Sequence, residues 1–529
     1  MKNNFKRFTS VCFVFIGIVT VLGTWMMASP IGSSPDDDYH LASAYCAQGP
    51  REGLCDRTVE GNENVDWVPE GVLFASSCYG GKDASCQTIE KTLEKNKLIP
   101  AISKNGQARS NSVVGGYPKL FYFAASQFVT EDKIEESVLR MRLFNISLIS
   151  GLFALAISVA SGHLRRALVI ILCVVSVPLG LFLFSSNNPS SWTIAAVAVL
   201  PTFWIALFTS TSKFSLFWAL IGALSAITMT IGSRPEGVVL VSLALFASSL
   251  YLWESQQLKA RSLMVLTVLA SSFGALTGRL SGRVSSLTQD GFSQELIALD
   301  LWKSVFVNIN TMPGLLFGAF GLNNHNPGMQ LSSLGWLDTP VPSTTGAIVT
   351  GTVISIVLVS LNSKSKTKIA MVLGLWSFLI VVILRLLSRD RQLIGFELQP
   401  RYFLPVVFLA VFFAVVGEGK RKFPKISNSQ FYFVGALLSL AHSLALHACI
   451  ARYSQQPELR NVYLNQNIVW WWTSFWSPQA TWLVGSFTFS ALILMSRPSV
   501  VEEPRYKPFS RLSVVSLGLR KTLETQTTD

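Results

Sequence analysis

Residues 192–210 read WTIAAVAVLPTFWIALFTS, without one charged side chain. That length matches the roughly 20 apolar residues needed to cross the hydrocarbon core of a bilayer. At that depth every backbone N–H and C=O must be paired internally, which makes such a run a helix. Comparable runs fall near 142–161, 167–185, 214–232, 237–253, 262–278, 344–361, 369–387, 402–417, 430–450 and 479–496, and another opens the chain from Phe8 to Ala28. The fold class is therefore all-α integral membrane, with about twelve transmembrane helices by the length criterion. Composition agrees, since 50% of residues are hydrophobic and 14% charged, against about a quarter charged in soluble chains.

A formal net charge of +13 raises the question of nucleic acid, and the placement of the charge answers it. With the N-terminus inside and each run crossing once, the inner loops hold Arg165 and Arg166, Lys213, Lys259 and Arg261, Lys364 to Lys368, and Lys420 to Lys425. This is the positive-inside pattern of a membrane protein, so no nucleic-acid partner is expected. Residues 1–28 form the first transmembrane helix, read as a signal-anchor because its apolar stretch is long for a signal peptide; cleavage after Ala28 is the alternative. Residues 29–139 form an exoplasmic loop, 140–278 helices two to seven, and 279–343 an exoplasmic segment. Residues 344–496 form helices eight to twelve, and 497–529 a cytoplasmic tail expected to be disordered.

Two outer segments are more than connectors. From Ser293 to Asn310, apolar residues recur at helical spacing (Leu296, Leu299, Trp302, Val305, Phe306), as in a helix lying in the interface. Met312 to Leu322 is too short to span and carries Pro313, Gly314, Gly318 and Gly321, which suits a re-entrant turn. Trp470, Trp471, Trp472, Phe475 and Trp476 read as an interfacial aromatic belt, with sugar stacking or lipid contact as the alternative.

Seven cysteines divide by location. Cys12, Cys173 and Cys449 lie within apolar runs as small buried hydrophobes. Cys46, Cys55, Cys78 and Cys86 share the first loop, where disulfides are expected in an oxidising compartment. Sequence does not choose among the three pairings; neighbour pairing closes the shortest loops. A zinc site is the rival, without a C-x-x-C to support it.

The densest polar cluster, Ser33-Ser34-Pro35-Asp36-Asp37-Asp38-Tyr39-His40, follows the first run directly. Three adjacent carboxylates repel, which raises at least one pKa or recruits a cation or an arginine. A helix opened by Pro35 would place the acids in its first turn, on the face shared by His40. The alternative is a solvated acidic N-cap. Arg401, Arg234, Arg140 and Arg142 stand at outer membrane edges against the charge bias, and ionisable groups there are functional candidates. Guanidinium forks suit phosphate recognition.

The stretch Ser34 to His40 resembles the P-D-E-x-x-H signature of a bacterial family of polytopic membrane proteins placed in the GT-C glycosyltransferase superfamily. Gly116-Tyr117-Pro118-Lys119-Leu120-Phe121-Tyr122 is similar to its P-P-L-Y-Y motif. Gly335-Trp336-Leu337-Asp338-Thr339-Pro340-Val341-Pro342 is similar to its G-x-L-D-T-x-x-P stretch, and Gln399-Pro400-Arg401-Tyr402-Phe403-Leu404-Pro405 to its Q-G-R-Y-x-L-P. Asp37 stands where the family has glutamate, and Asp38 and Lys119 where it has proline.

The resemblance implies a bacterial cytoplasmic-membrane enzyme with both termini inside and its site outside. It would transfer a sugar from a polyprenyl-phosphate donor to an envelope glycan or glycolipid. Asp37, or its neighbour Asp36, would act as base, with inversion. Arg401, Arg234, His40, Tyr402 and Arg142 would hold the donor phosphate; Asp338, Tyr117 and Trp471 are acceptor or loop candidates. A divalent cation, Mg or Mn, on Asp36, Asp37 and Asp38 is the one cofactor the pattern would accommodate. The rivals are a transporter or flippase for a lipid-linked sugar and a non-enzymatic envelope-assembly scaffold.

Overall fold

Most of the apolar runs are helices, three of them with a proline inside, Pro201, Pro313 and Pro405. In a computed structural model, residues 2–57, 65–77, 97–102, 108–131, 133–160, 162–254, 301–322, 324–326, 329–331, 334–361, 365–390, 399–417, 427–456, 460–469, 472 and 476–496 are described. Helix α1 is Lys2–Met27, followed by the short α2, Asp37–Cys46. Strands β1 (Trp67–Pro69) and β2 (Leu98–Pro100) pair antiparallel around α3 (Glu70–Ser77). Then come α4 (Lys119–Ser126), α5 (Ile134–Val159), α6 (Gly162–Val174), α7 (Leu179–Phe184), α8 (Ser190–Thr209), α9 (Lys213–Ile231) and α10 (Gly237–Glu254). After α11 (Leu301–Gly318) and the hairpin β3–β4 (Asn324–Asn326, Met329–Leu331) follow α12 (Ser343–Leu361), α13 (Lys366–Asp390), α14 (Pro400–Val415), α15 (Asn428–Ser454) and α16 (Pro478–Met495).

Six of these, α5, α8, α9, α13, α15 and α16, carry stretches long and apolar enough to cross a membrane; Val11–Met27, Gly237–Trp253, Val305–Gly318, Ser343–Val359 and Pro400–Val415 are shorter apolar helices. The run 167–185, expected as one span, is two helices, because the chain turns at 175–178 before Pro178, which has no N–H to continue the ladder. The expected run 262–278 and the tail lie outside the described residues.

Helices α8 and α14 form the centre. Every residue of α14 except Tyr402 is buried, and α8 is buried from Ser190 to Phe203. Such all-round apolar helices need neighbours on every side: α5, α9 and α10 pack on α8, α13 and α12 on α14, and the two touch each other. Helix α1 packs between α5 and α16.

The amphipathic segment is seen from Leu301 onward. Trp302, Phe306 and Ile309 are exposed, while Met312, Leu315, Leu316, Ala319 and Phe320 are buried. The re-entrant turn expected at Met312–Leu322 is instead helix as far as Gly318, with Pro313 inside it, and the chain turns at 319–321.

Candidate functional site

Between α1 and α2 the chain has no regular structure, so its carbonyls need partners from elsewhere. Side chains from distant segments supply them. Arg142 donates to the carbonyls of Met26 (3.0 Å), Ser29 (2.7 Å) and Pro30 (2.8 Å). Trp472 Nε1 donates to Met27 (2.9 Å), Cys449 Sγ to Ala28 (3.7 Å), Trp336 Nε1 to Gly32 (2.9 Å) and Asn188 Nδ2 to Pro35 (2.9 Å). This collar brings α5, α15 and the loops before α8, α12 and α16 to the linker that carries the three acids.

Asp36 sits at the N-cap of α2 with φ 59°, in the left-handed region, and makes no side-chain cap. Aspartate is among the few side chains that tolerate that conformation. Freed from capping, its carboxylate takes an Nη2 hydrogen bond from Arg401, which also donates to the Tyr402 hydroxyl at 2.9 Å. Arg401 is 2% exposed, and its Nε and Nη1 have no partner. Arg234 donates through Nε to Glu236 (2.8 Å) and through Nη1 to the Tyr117 hydroxyl (3.1 Å). Both guanidinium groups lie 5.0 Å from the centre of the Tyr402 ring. Burial pushes the Asp36 carboxyl up, but Arg401, His40 and Arg109 outweigh it and hold it at about 2.

Its two neighbours point elsewhere. Asp37, wholly buried, accepts the Ser34 N–H on Oδ2 at 3.2 Å, and its Oδ1 has no partner. Burial pushes the Asp37 carboxyl up to about 7 against the pull of Arg142 and of that N–H. Asp38 is gripped by Arg109 through Nε (3.0 Å) and Nη2 (3.1 Å); burial pushes it up despite that charge. His40 meets the Tyr122 hydroxyl through Nδ1 at 2.9 Å, and burial pulls its pKa down to about 3. Tyr39, Tyr117 and Tyr122 close round its ring, with centroids 5.6 to 6.0 Å away.

Of the residues expected to act together, Asp36, His40, Arg401, Tyr402, Arg234 and Tyr117 are thus assembled at one place, while Asp37, next in the chain, turns to Ser34 and the charge of Arg142. Arg142 adjoins them, but three of its hydrogen bonds go to backbone carbonyls, and its guanidinium lies 5.7 Å from the Trp472 ring centre. Arg140 pairs on the surface with Glu136. Asp338 is paired with Arg452 at 2.9 Å beside Thr339 and Tyr453; it accepts from the Trp336 N–H, and the Trp336 indole reaches the Gly32 carbonyl. Trp471 lies outside the described residues, as do Cys78 and Cys86. Cys46 and Cys55 form a disulfide.

The three aspartates do not fit a shared cation, because each faces a different partner. Among the described residues, Cys46, Cys55 and Asp66 are the group close enough to share an ion. Their sulfurs are bonded to each other and Asp66 is held by Arg57 at 2.7 Å.

Four participants were not anticipated from sequence. Arg109, Asn188, Tyr122 and Trp336 reach across 71, 153, 82 and 304 positions. Tyr122 and Trp336 stand inside quoted motifs. Asn188 stands in Ser185-Ser186-Asn187-Asn188-Pro189-Ser190-Ser191, a polar run between two apolar ones that is buried throughout; that contrast was the available signal.

Comparison with curated proteins and with solved structures gives no match. The chain belongs to the family described as "Predicted membrane protein (DUF2142)", which matches residues 19–410.

Proposed function

We propose that this membrane protein transfers a sugar from a polyprenyl-phosphate donor to a cell-envelope glycan or glycolipid on the outer face of the membrane, with inversion. The observation that carries the reading is a pair of complementary vacancies. The Oδ1 of Asp37 and the Nε and Nη1 of Arg401 are buried without a partner, and Asp36, next to Asp37 in the chain, takes a hydrogen bond from Arg401.

Asp37 Oδ1 accepts the proton of an acceptor hydroxyl as that oxygen bonds to the anomeric carbon. The bond from that carbon to the phosphate oxygen breaks, and its electrons leave on the phosphate. A base whose pKa lies near 7 is matched to this task, worth about 10²–10⁴-fold in rate. Arg401, with Arg234 beside the same tyrosine ring, meets the growing charge of the departing phosphate. Asp36 stays ionised and holds Arg401 in place. One base and one leaving group make a single displacement, hence inversion.

The break between α6 and α7 is the observation that favours a transporter, because discontinuous helices line transport sites. Incubation of the purified protein with a panel of polyprenyl-phosphate sugars separates the two. Transfer predicts release of free polyprenyl phosphate by the native protein and a loss of at least 10²-fold in Asp37→Asn. Equal release by a folded, membrane-inserted Asp37→Asn would refute the base assignment. Movement of intact donor across vesicles without release would favour transport.

A further inference from the structure

The hydroxyl of Tyr122 is buried, with His40 Nδ1 at 2.9 Å as its partner. Either arrangement of this contact leaves one buried donor over, so acceptor strength decides: an imidazole nitrogen is a stronger acceptor than a phenol oxygen, and the phenol donates to Nδ1. The neutral imidazole then carries its proton on Nε2. That atom is buried and without a partner, a donor in want of an acceptor. The groups that face the ring are Asp36, already taken by Arg401, the charges of Arg234 and Arg109, and the rings of Tyr39, Tyr117 and Tyr122. None of these accepts from Nε2.

We propose that His40 works as a neutral hydrogen-bond donor, locked as the Nε2–H tautomer by Tyr122, and that its acceptor is a phosphoryl oxygen of a bound ligand shared with the free nitrogens of Arg401. Tyr122 is then a positioning residue, and His40 neither takes nor gives up a proton during turnover. The ligand end of this inference rests on the donor phosphate proposed above; the tautomer end does not. Burial supports it by disfavouring the imidazolium.

The test uses the full chain in bilayers with its five histidines labelled with nitrogen-15, whose shifts distinguish imidazolium from either neutral tautomer. The His40 signal is assigned by its loss in His40→Gln. The expected spectrum is Nε2–H, unchanged between pH 8 and pH 5, and shifted toward Nδ1–H or a mixture in Tyr122→Phe, with helical content checked to show that the variant folds. An imidazolium at pH 7, an Nδ1–H signal, or an unaltered tautomer in folded Tyr122→Phe overturns the lock and leaves glycosyl transfer standing.

Dodecyl phosphate and inorganic phosphate are then added separately. A shift of the Nε2 signal with dodecyl phosphate alone identifies a lipid-borne phosphate; a shift with both identifies the phosphate group itself. No shift with either overturns the donor role and the phosphate end of the functional proposal together, while the lock remains. Glutamine places an N–H near the Nε2 position and asparagine near Nδ1. His40→Gln should therefore bind dodecyl phosphate at least about 10-fold more tightly than His40→Asn, the scale of one hydrogen bond to a charged group. Equal binding by the two variants overturns the Nε2 assignment.

Discussion

Asp37 and His40 are buried a few ångströms of chain apart and are displaced from their ordinary pKa values in opposite directions, and this has a measurable consequence. For Asp37, the folded value of about 7 lies above the ordinary 3.8. Its contribution to stability is present below about pH 4 and is lost as pH rises to about 7. Three units at about 1.4 kcal/mol each come to roughly 4 kcal/mol. For His40, the folded value of about 3 lies below the ordinary 6.5. Its contribution is present above about pH 6.5 and is lost as pH falls, over a similar span. Between about pH 4 and 6.5 the two slopes, each about 1.4 kcal/mol per unit, oppose each other. The native protein should therefore be nearly level there. Asp37→Asn exposes the histidine slope and should grow more stable as pH rises; His40→Gln exposes the aspartate slope and should grow less stable. At pH 8 Asp37→Asn should exceed the native protein by up to about 4 kcal/mol, less about 1–3 kcal/mol if its new amide finds no partner. The assay is unfolding by SDS in mixed micelles at half-unit pH steps. Parallel pH profiles for the native protein and both variants would sink the argument, because they would mean that neither group is forced neutral by folding.

Two further outcomes are expected. Replacing Cys46 and Cys55 by serine opens a loop with a sequence separation of 9 and should cost about 3 kcal/mol by the loop-entropy estimate, read as the same loss on adding a reductant to the native protein in the unfolding assay. Arg142→Lys keeps the charge but not the fork that reaches three carbonyls. Each carbonyl left buried costs about 1–3 kcal/mol, so hydrogen exchange over residues 26–37 should accelerate by 10-fold or more; native protection in the lysine variant would show that the collar does not need the fork.

The membrane helices were legible because a span is written in contiguous residues, and composition alone reports it. Proline rules, not hydropathy, decided that 167–185 would break. The acids stood out as the densest polar cluster in the sequence, and Arg401 and Arg234 as basic residues where the positive-inside rule leads one to expect few. Arg142 stood out by the same signal, and the structure gives it a task of its own at three backbone carbonyls. A cation at the end of α1 answers the negative end of a helix and its unbonded carbonyls, a demand that arises only once α5 packs on α1. Arg109 was invisible because it is ordinary in its own stretch, and the roles of Asn188 and Tyr122 come from partners 153 and 82 positions away. Cys46–Cys55 belongs to the neighbour pairing that short loop closure favours, and the structure bonds these two sulfurs.

The linker from α1 to α2 explains why such unlike segments converge. A helix that ends at the edge of the hydrocarbon leaves carbonyls that neither lipid nor its own turns can satisfy. Seven carbonyls between Met26 and Pro35 are met by five side chains drawn from α5, α15 and the loops before α8, α12 and α16. Those five donors fix the path of the backbone, and the path fixes where Asp36, Asp37 and Asp38 diverge. Rigid backbone of this kind is what lets one acid hold an arginine while its neighbour titrates near neutrality, since a mobile linker would let both seek water or the same cation. The separation of the two carboxylates into one that is ionised at about 2 and one that titrates at about 7 is therefore a property of the collar, and a substitution anywhere in the collar should disturb the acids before it disturbs the helices.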